Sequence, residues 1–493
     1  MELIFFVIIP LTLLGLCAWL RFGSLPVQVG SPTGLNPIPI AGLLVILTGV
    51  VLGHEFFNKP VGPIPITIDR LILILATGLF GFLVLAGREK LRPLNWLDIS
   101  ILILLTVIGL STISHDWKIL SNMPLSRLLF FNLMPAGLYY LVRSCKLKPA
   151  DLKFIGCALG GFGVYLAVTA LFETRGLTGL VFPRYIMTSE TTEFLGRGRG
   201  PFLNPVSNGI FMTTCFCFVM MWWPRTKVTG RVLLLAVGLL IALGIYSTLT
   251  RSVWLTFVCA CAIYIFWPAE NQFKGLMIIA GTIAGIVLFP VISEKVFSFK
   301  RDKGVSVSQM EISAQMRPMF LIVATNMFKD RPLLGVGFGQ YPKAKFPYLK
   351  DPKTDKPLTI TKTLMQHNVF LAYLTETGLV GVSVLLLMLI LMFNAGWQVW
   401  SDTSLDLCAR QFGLVGIVIL TCYCINGMFH DVSIIPLQHL YMFFLMGLIN
   451  NIYSDRAPFR SAEASHEGAI SQSAAPQIDY APAVTPSPNQ AAY

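Results

Sequence analysis

Apolar residues along the chain fall into blocks of roughly twenty, the length that crosses a bilayer as a helix, and short basic stretches separate them. The blocks lie near residues 1–20, 38–55, 68–87, 96–113, 126–142, 152–172, 206–223, 232–249, 252–268, 275–292, 368–393, 412–429 and 436–452. They predict an all-α integral membrane protein with 12–13 spanning helices; Gly and Pro inside the blocks, such as Pro135, are tolerated there and leave the count open by one. Residues 3–20 lack a preceding basic region and a following small-residue cleavage site, so they read as a first span and not as a removed leader. The pattern divides the chain into N-terminal helices (1–172), central helices with arginine-bearing loops (173–292), a large polar segment with short helices (293–366), C-terminal helices (367–452) and a tail (453–493). The tail is rich in Ala, Ser, Pro and Gln, too polar to bury a core, and reads as a disordered cytoplasmic extension.

Composition agrees. Hydrophobic residues make up 55% and charged residues 13%, against about 25% charged in soluble domains. The ten cysteines lie mostly inside apolar blocks, and the Cys-x-Cys pairs 215/217, 259/261 and 422/424 have a spacing that does not face one way on a helix. They read as packing, with no metal site. The net charge of +12 comes without any nucleic-acid-binding motif. Its distribution is more telling. Arg88, Lys90 and Arg92, then Arg143, Lys146, Lys148 and Lys153, then Arg225, Lys227 and Arg231 occupy alternate loops, which the positive-inside rule places in the cytoplasm. The other loops then face outward: 55–67, 114–125, 173–205, the Thr250-Arg251 corner, 293–366 and His430-Asp431. Segment 293–366 carries thirteen Lys and Arg against six acids, a net +7 able to attract an anion. Loop 173–205 breaks the rule with Arg175, Arg184, Arg197 and Arg199 on the outward side.

Candidate chemistry gathers on that side. His367 precedes Asn368, a good N-cap for the helix that follows; a helix N-terminus favours an anion and a neutral, proton-accepting imidazole. Glu376 lies about two turns farther into the span, where an acid is a functional candidate by default. Met316, Met319, Phe320, Val323 and Met327 recur at helical spacing and put Arg317 on an amphipathic interfacial helix. The stretch Pro332-Leu-Leu-Gly335-Val-Gly337-Phe-Gly339 lacks the ending of a phosphate-binding loop and reads as a backbone corner. Each residue also has an ordinary use: a capping histidine, a hydrogen-bonded glutamate, an arginine snorkelling to headgroups, a flexible basic loop. The chain has no Asp-x-Asp, His-Glu-x-x-His, Gly-x-Ser-x-Gly or Walker A motif, which disfavours a soluble activated donor.

Thr248-Leu-Thr-Arg251-Ser252, Arg317, Met327-Phe-Lys-Asp-Arg-Pro-Leu-Leu-Gly-Val-Gly-Phe-Gly339 and His367-Asn-Val-Phe-Leu-Ala-Tyr-Leu-Thr-Glu376-Thr-Gly378-Leu-Val-Gly381 resemble the O-antigen ligase and polymerase family of bacterial inner membranes. Gly196-Arg-Gly-Arg-Gly-Pro-Phe-Leu-Asn-Pro205 is similar to a further element of that family. The resemblance implies a glycosyltransferase that takes a glycan from undecaprenyl diphosphate on the periplasmic face, without metal or other cofactor. Its acceptor would be lipid A-core in a ligase, or another carrier-linked repeat in a polymerase. It also implies that His367 is the essential histidine and that Arg251 and Arg317 bind the diphosphate, joined by Arg197 or Arg199, between which the motif does not choose. Asn368 and Glu376 would support them. The corner departs from the family by reading Thr-Arg where many members have Ser-Arg. Transfer to a protein hydroxyl, a bicarbonate-type solute transporter and a noncatalytic carrier-binding scaffold are the competing readings.

Overall fold

The computed structural model describes residues 34–53, 58–61, 64–188, 194–268, 307–350, 354–435 and 437–461. The spans expected at 1–20 and 275–292, the charges at 294–303 and 351–353, and the tail from 462 onward lie outside the described residues.

Every other apolar block is a helix. They are α1 (Pro37–Val51), α2 (Ile68–Leu85), α3 (Trp96–Ile113), α4 (Ile119–Leu128), α5 (Met134–Ser144), α6 (Pro149–Thr174), α7 (Pro205–Met220), α8 (Val228–Ser247) and α9 (Arg251–Phe266). After the polar segment, which contributes α10 (Val307–Asp330), come α11 (Val369–Ser401), α12 (Leu407–Gly427) and α13 (Gln438–Ser454). A π-helical turn, Leu129–Leu133, joins α4 to α5. Among the described residues eight helices are long and apolar enough to cross a membrane, and α1 and α9 are shorter apolar helices. The chain is therefore an all-α, multi-pass membrane protein; its strands among the described residues are the ribbon Lys59–Val61 with Ile64–Ile66.

Local chemistry sets the helix starts. Asn36, Asn204, Asn368 and Asp406 each accept backbone N–H bonds at a first turn, and Asn95 forms a capping box with Asp98. Proline opens α1, α6 and α7, where its missing N–H costs nothing. At the centre, α13 is buried almost throughout and packs mainly on α5, while α11 packs on α12. Leu75, Phe82 and Leu85 on α2 and Val232, Leu235 and Leu239 on α8 stay exposed, as helix faces turned to lipid should.

The basic clusters meet at one end of the bundle. Arg92 donates to the carbonyls of Cys145 and Asn451 and pairs with Asp455; Arg143 pairs with Asp98; Lys148 donates to Gly34 O; Arg225 pairs with Asp406. The opposite end holds the Arg-Gly-Arg-Gly loop, the Thr250-Arg251 corner, the polar segment and the α12–α13 turn.

There α11 is not one continuous rod. Gly378 has φ 64° and ψ −161°, a conformation open essentially only to glycine, and it breaks the helix. A break frees carbonyls and N–H groups, which cannot stay unpaired at membrane depth. The Gly-rich stretch satisfies them. Val336 N and Gly337 N donate to the carbonyls of Thr375 and Glu376, while Leu379 N and Val380 N donate to Pro332 and Leu333, at 2.8–3.2 Å. The expected corner is thus a backbone plug for a broken helix. Backbone touches backbone: a Cβ on Gly335 would lie 2.5 Å from the carbonyl carbon of Glu376, and one on Gly378 would collide with Leu333.

Gly378→Ala is expected to destabilise the protein by about 1–3 kcal/mol through backbone strain alone, and further through that collision. Gly109→Ala, in α3 with open space around the position, should be neutral or slightly stabilising. Thermal unfolding in detergent compares the two, and equal midpoints would refute this account of the break.

Candidate functional site

Asn368 caps α11 by accepting from Phe370 N and Leu371 N at 2.9 and 3.0 Å, and its Nδ2 donates to Met428 O at 3.1 Å in the α12–α13 turn. The cap therefore fixes both the helix start and its lateral contact. His367, immediately before it, is exposed, and its ring meets Phe320 of α10 edge-on at 5.3 Å. The amphipathic pattern expected for α10 is present: Met319, Phe320, Val323 and Met327 are buried while Arg317 is exposed. Met319, Val323 and Met327 form a small core with Val336, Tyr341, Leu349 and Leu358, which ties the polar segment together. The Arg317 guanidinium lies over Phe429, 5.1 Å from the ring centre. Phe429 follows Met428, the residue that receives Asn368, so Arg317 and His367 share one neighbourhood.

Arg251 is the first residue of α9 and half-buried. Thr256, five residues on, accepts from Asn426 of α12 at 2.9 Å, which sets the start of α9 beside the same α12 end. The Arg197 guanidinium folds onto the corner just before Arg251, donating from Nε to Thr248 O at 3.1 Å and from Nη2 to Thr250 Oγ1. Gly198 N adds a 2.8 Å bond to Ser247 O, and a Cβ at Gly198 would meet Ser247 and Ala170. Arg199 points elsewhere. It is fully buried, bonded through Nε to Glu173 at 2.9 Å and through Nη2 to Ile186 O at 2.7 Å; the second Glu173 oxygen accepts from Gly200 N. Arg197 thus adjoins the Arg251 corner, whereas Arg199 holds the loop to α6.

Glu376 is not with them at the surface. It lies inside α11, 2% exposed, and receives both 2.9 Å bonds of a bidentate contact from Arg127 Nη1. Sequence reasoning missed Arg127, Phe429 and Asp431. Asp431, 5% exposed, accepts from Ser433, and burial holds its carboxyl above the usual range against the pull of Arg127. The signal was available in part, since Arg127 is a charge inside an apolar block, which a membrane-inserted segment carries only for a reason. Among the described residues no group of His, Cys, Asp and Glu is arranged to hold a metal ion, and none of the nine cysteines is in a disulfide.

Chemically, this end offers an exposed imidazole at a helix start and two guanidinium groups, those of Arg317 and Arg251, held against an aromatic ring and a helix corner. Such a set suits an anion with two phosphate-like centres and a proton acceptor beside it. Residues 235–387 match a family model described as O-antigen ligase, a stretch that includes Arg251, Arg317, His367 and Glu376. No curated protein matches the chain.

The loop before His367 is tied down by Lys345, which is 1% exposed and donates from Nζ to Thr361 O at 2.8 Å and to Leu364 O. Burial lowers its pKa to about 8, against about 10.4 for an unfolded lysine. Between those values the unfolded chain keeps a proton that the folded chain has lost, so stability rises with pH. The stability of the wild type relative to Lys345→Met should therefore increase from about pH 8 to about pH 10. Thermal unfolding across that range checks it, and a flat or falling difference would count against a buried, partly neutral lysine.

Proposed function

We propose that this chain, whose residues 235–387 match a family model described as O-antigen ligase, is an O-antigen ligase-type membrane enzyme that transfers a glycan from undecaprenyl diphosphate to an acceptor hydroxyl. The reaction face is the end of the bundle that holds His367, which is periplasmic if the basic clusters lie in the cytoplasm of an inner membrane. Acceptors consistent with the family are lipid A-core, for a ligase, or a second carrier-linked repeat, for a polymerase. The observation that carries the proposal is the convergence of Arg317 and His367 on one spot: both rest on aromatic rings of the α10 and α12–α13 elements that meet at the Asn368 cap.

In the proposed step the bond between the anomeric carbon and the diphosphate oxygen breaks as the acceptor oxygen attacks from the opposite side, which inverts the centre. Negative charge grows on the departing diphosphate. Arg317 and Arg251, with Arg197 behind the corner, would strengthen their contacts as it grows and so favour the transition state over the ground state. Arginine suits the task because its planar fork grips two oxygens and keeps its charge. The acceptor hydroxyl passes its proton to His367, a contribution of about 10²–10⁴ in rate. Arg199, committed to Glu173 and Ile186, is assigned to holding the loop.

His367→Ala should reduce transfer from carrier-linked glycan by about 10²-fold or more while leaving thermal unfolding unchanged, because the side chain is exposed. Full activity in that variant, assayed with purified protein, donor and acceptor, would sink the mechanism. Arg317→Lys should lose much of the rate despite its retained charge, since a lysine lacks the planar fork that grips two oxygens and the guanidinium that lies over Phe429. Initial rates at matched protein levels test this, and wild-type rates would refute it.

A further inference from the structure

The pair Arg127–Glu376 is the least expected feature of the interior. Both residues are almost fully buried, at 4% and 2% exposure, inside helices that cross the membrane. A buried ion pair is a poor way to stabilise a fold, because apolar residues of similar volume do as well or better. Its position suggests another use. Glu376 stands two residues before the break at Gly378, and its own carbonyl accepts Gly337 N of the plug. Its carboxylate receives Arg127 Nη1 and lies beside the Gly339 backbone. The Arg127 guanidinium lies over Phe338 of the same plug, 4.6 Å from the ring centre.

Arg127 is itself anchored. Its carbonyl accepts Asn132 Nδ2 at 2.9 Å across the π-helical turn, and Asn132 Oδ1 accepts the Tyr373 hydroxyl of α11. On its remaining side lies buried Asp431, in the turn whose Met428 carbonyl receives Asn368 and whose Phe429 carries Arg317. One guanidinium thus contacts the broken helix and the plug and faces the turn to which Asn368, the neighbour of His367, is bonded. Glu376 is nine residues from His367, about 13 Å of helical rise, too far to touch the reacting atoms.

We propose that Arg127 is a positioning residue of the transfer reaction, acting through Glu376 to fix the half-helix 369–377 that sets where His367 stands. This rests on the function proposed above. The half-helix has lost the continuity that would otherwise hold it in line with the rest of α11, and the ion pair replaces it: Arg127 Nη1, bonded to both Glu376 oxygens, sets its rotation, and the plug sets its depth. Losing one partner alone strands a buried charge and threatens folding, so the informative variant removes both.

The test is Arg127→Met/Glu376→Leu in the full chain, in lipid nanodiscs. Thermal unfolding should match or exceed the wild type. Transfer should lose about ten- to a hundredfold in kcat, while KM for the donor stays within about twofold, because the arginines that bind it remain. Hydrogen exchange should accelerate at residues 335–340 and 366–377 and stay unchanged at α13. Arg127→Lys, which keeps the charge but loses the guanidinium over Phe338, should fall between the two. A stable double variant with wild-type kcat and wild-type exchange overturns the proposal. If even the wild type transfers no glycan, the functional assignment fails separately; exchange then decides the positioning, with acceleration supporting it and its absence overturning it.

Discussion

A backbone polar group in a bilayer has to find a partner, and at Gly378 the α11 ladder stops providing one. Four hydrogen bonds from residues 332–337 replace the missing rungs. Much else follows from that substitution. The plug must approach backbone to backbone, so it is built of glycines. It must be carried to the right depth, so α10 and the small core around Met327 and Tyr341 hold the polar segment over the bundle. The half-helix above the break can then start at an angle that the rest of α11 does not dictate, and its cap is free to reach across to Met428.

The arginines at this end fall into two kinds. Arg199 and Arg127 are buried, each satisfied by a carboxylate from a neighbouring helix, and they bind the protein to itself. Arg317 is exposed and Arg251 half-buried, so both keep part of their surface open to solvent or lipid. Arg197 is intermediate: buried, yet bonded to the strand of residues that delivers Arg251. The arginines at this end therefore have at least two uses, internal ion pairing and an exposed cationic surface.

The apolar blocks were readable because a bilayer leaves few choices: a twenty-residue apolar run has only the helix in which to satisfy its backbone. Caps were readable for the same local reason, and Asn368 behaves as its position implies. The role of α10 followed from periodicity. What stayed hidden depends on pairs distant along the chain. Gly335 and Gly378 read as a corner and an unremarked glycine because the contact that explains both spans more than forty residues. Arg127 lies in a block recognised by the length of its apolar run, where one charge is easily passed over. Arg197 and Arg199 are two residues apart with equal sequence context, and only the location of Glu173 separates them.

The cations at the opposite end end up fastened. Arg92 meets Asn451 O and Asp455, and Arg225 meets Asp406, all from helices made late in the chain. When the early segments enter the bilayer those partners have not yet been synthesised, so the same side chains are then free charges. Under the positive-inside rule they would act twice in the life of the molecule: first as retained charge that orients the early hairpins, and later as the clasps that receive the last helices and close the bundle.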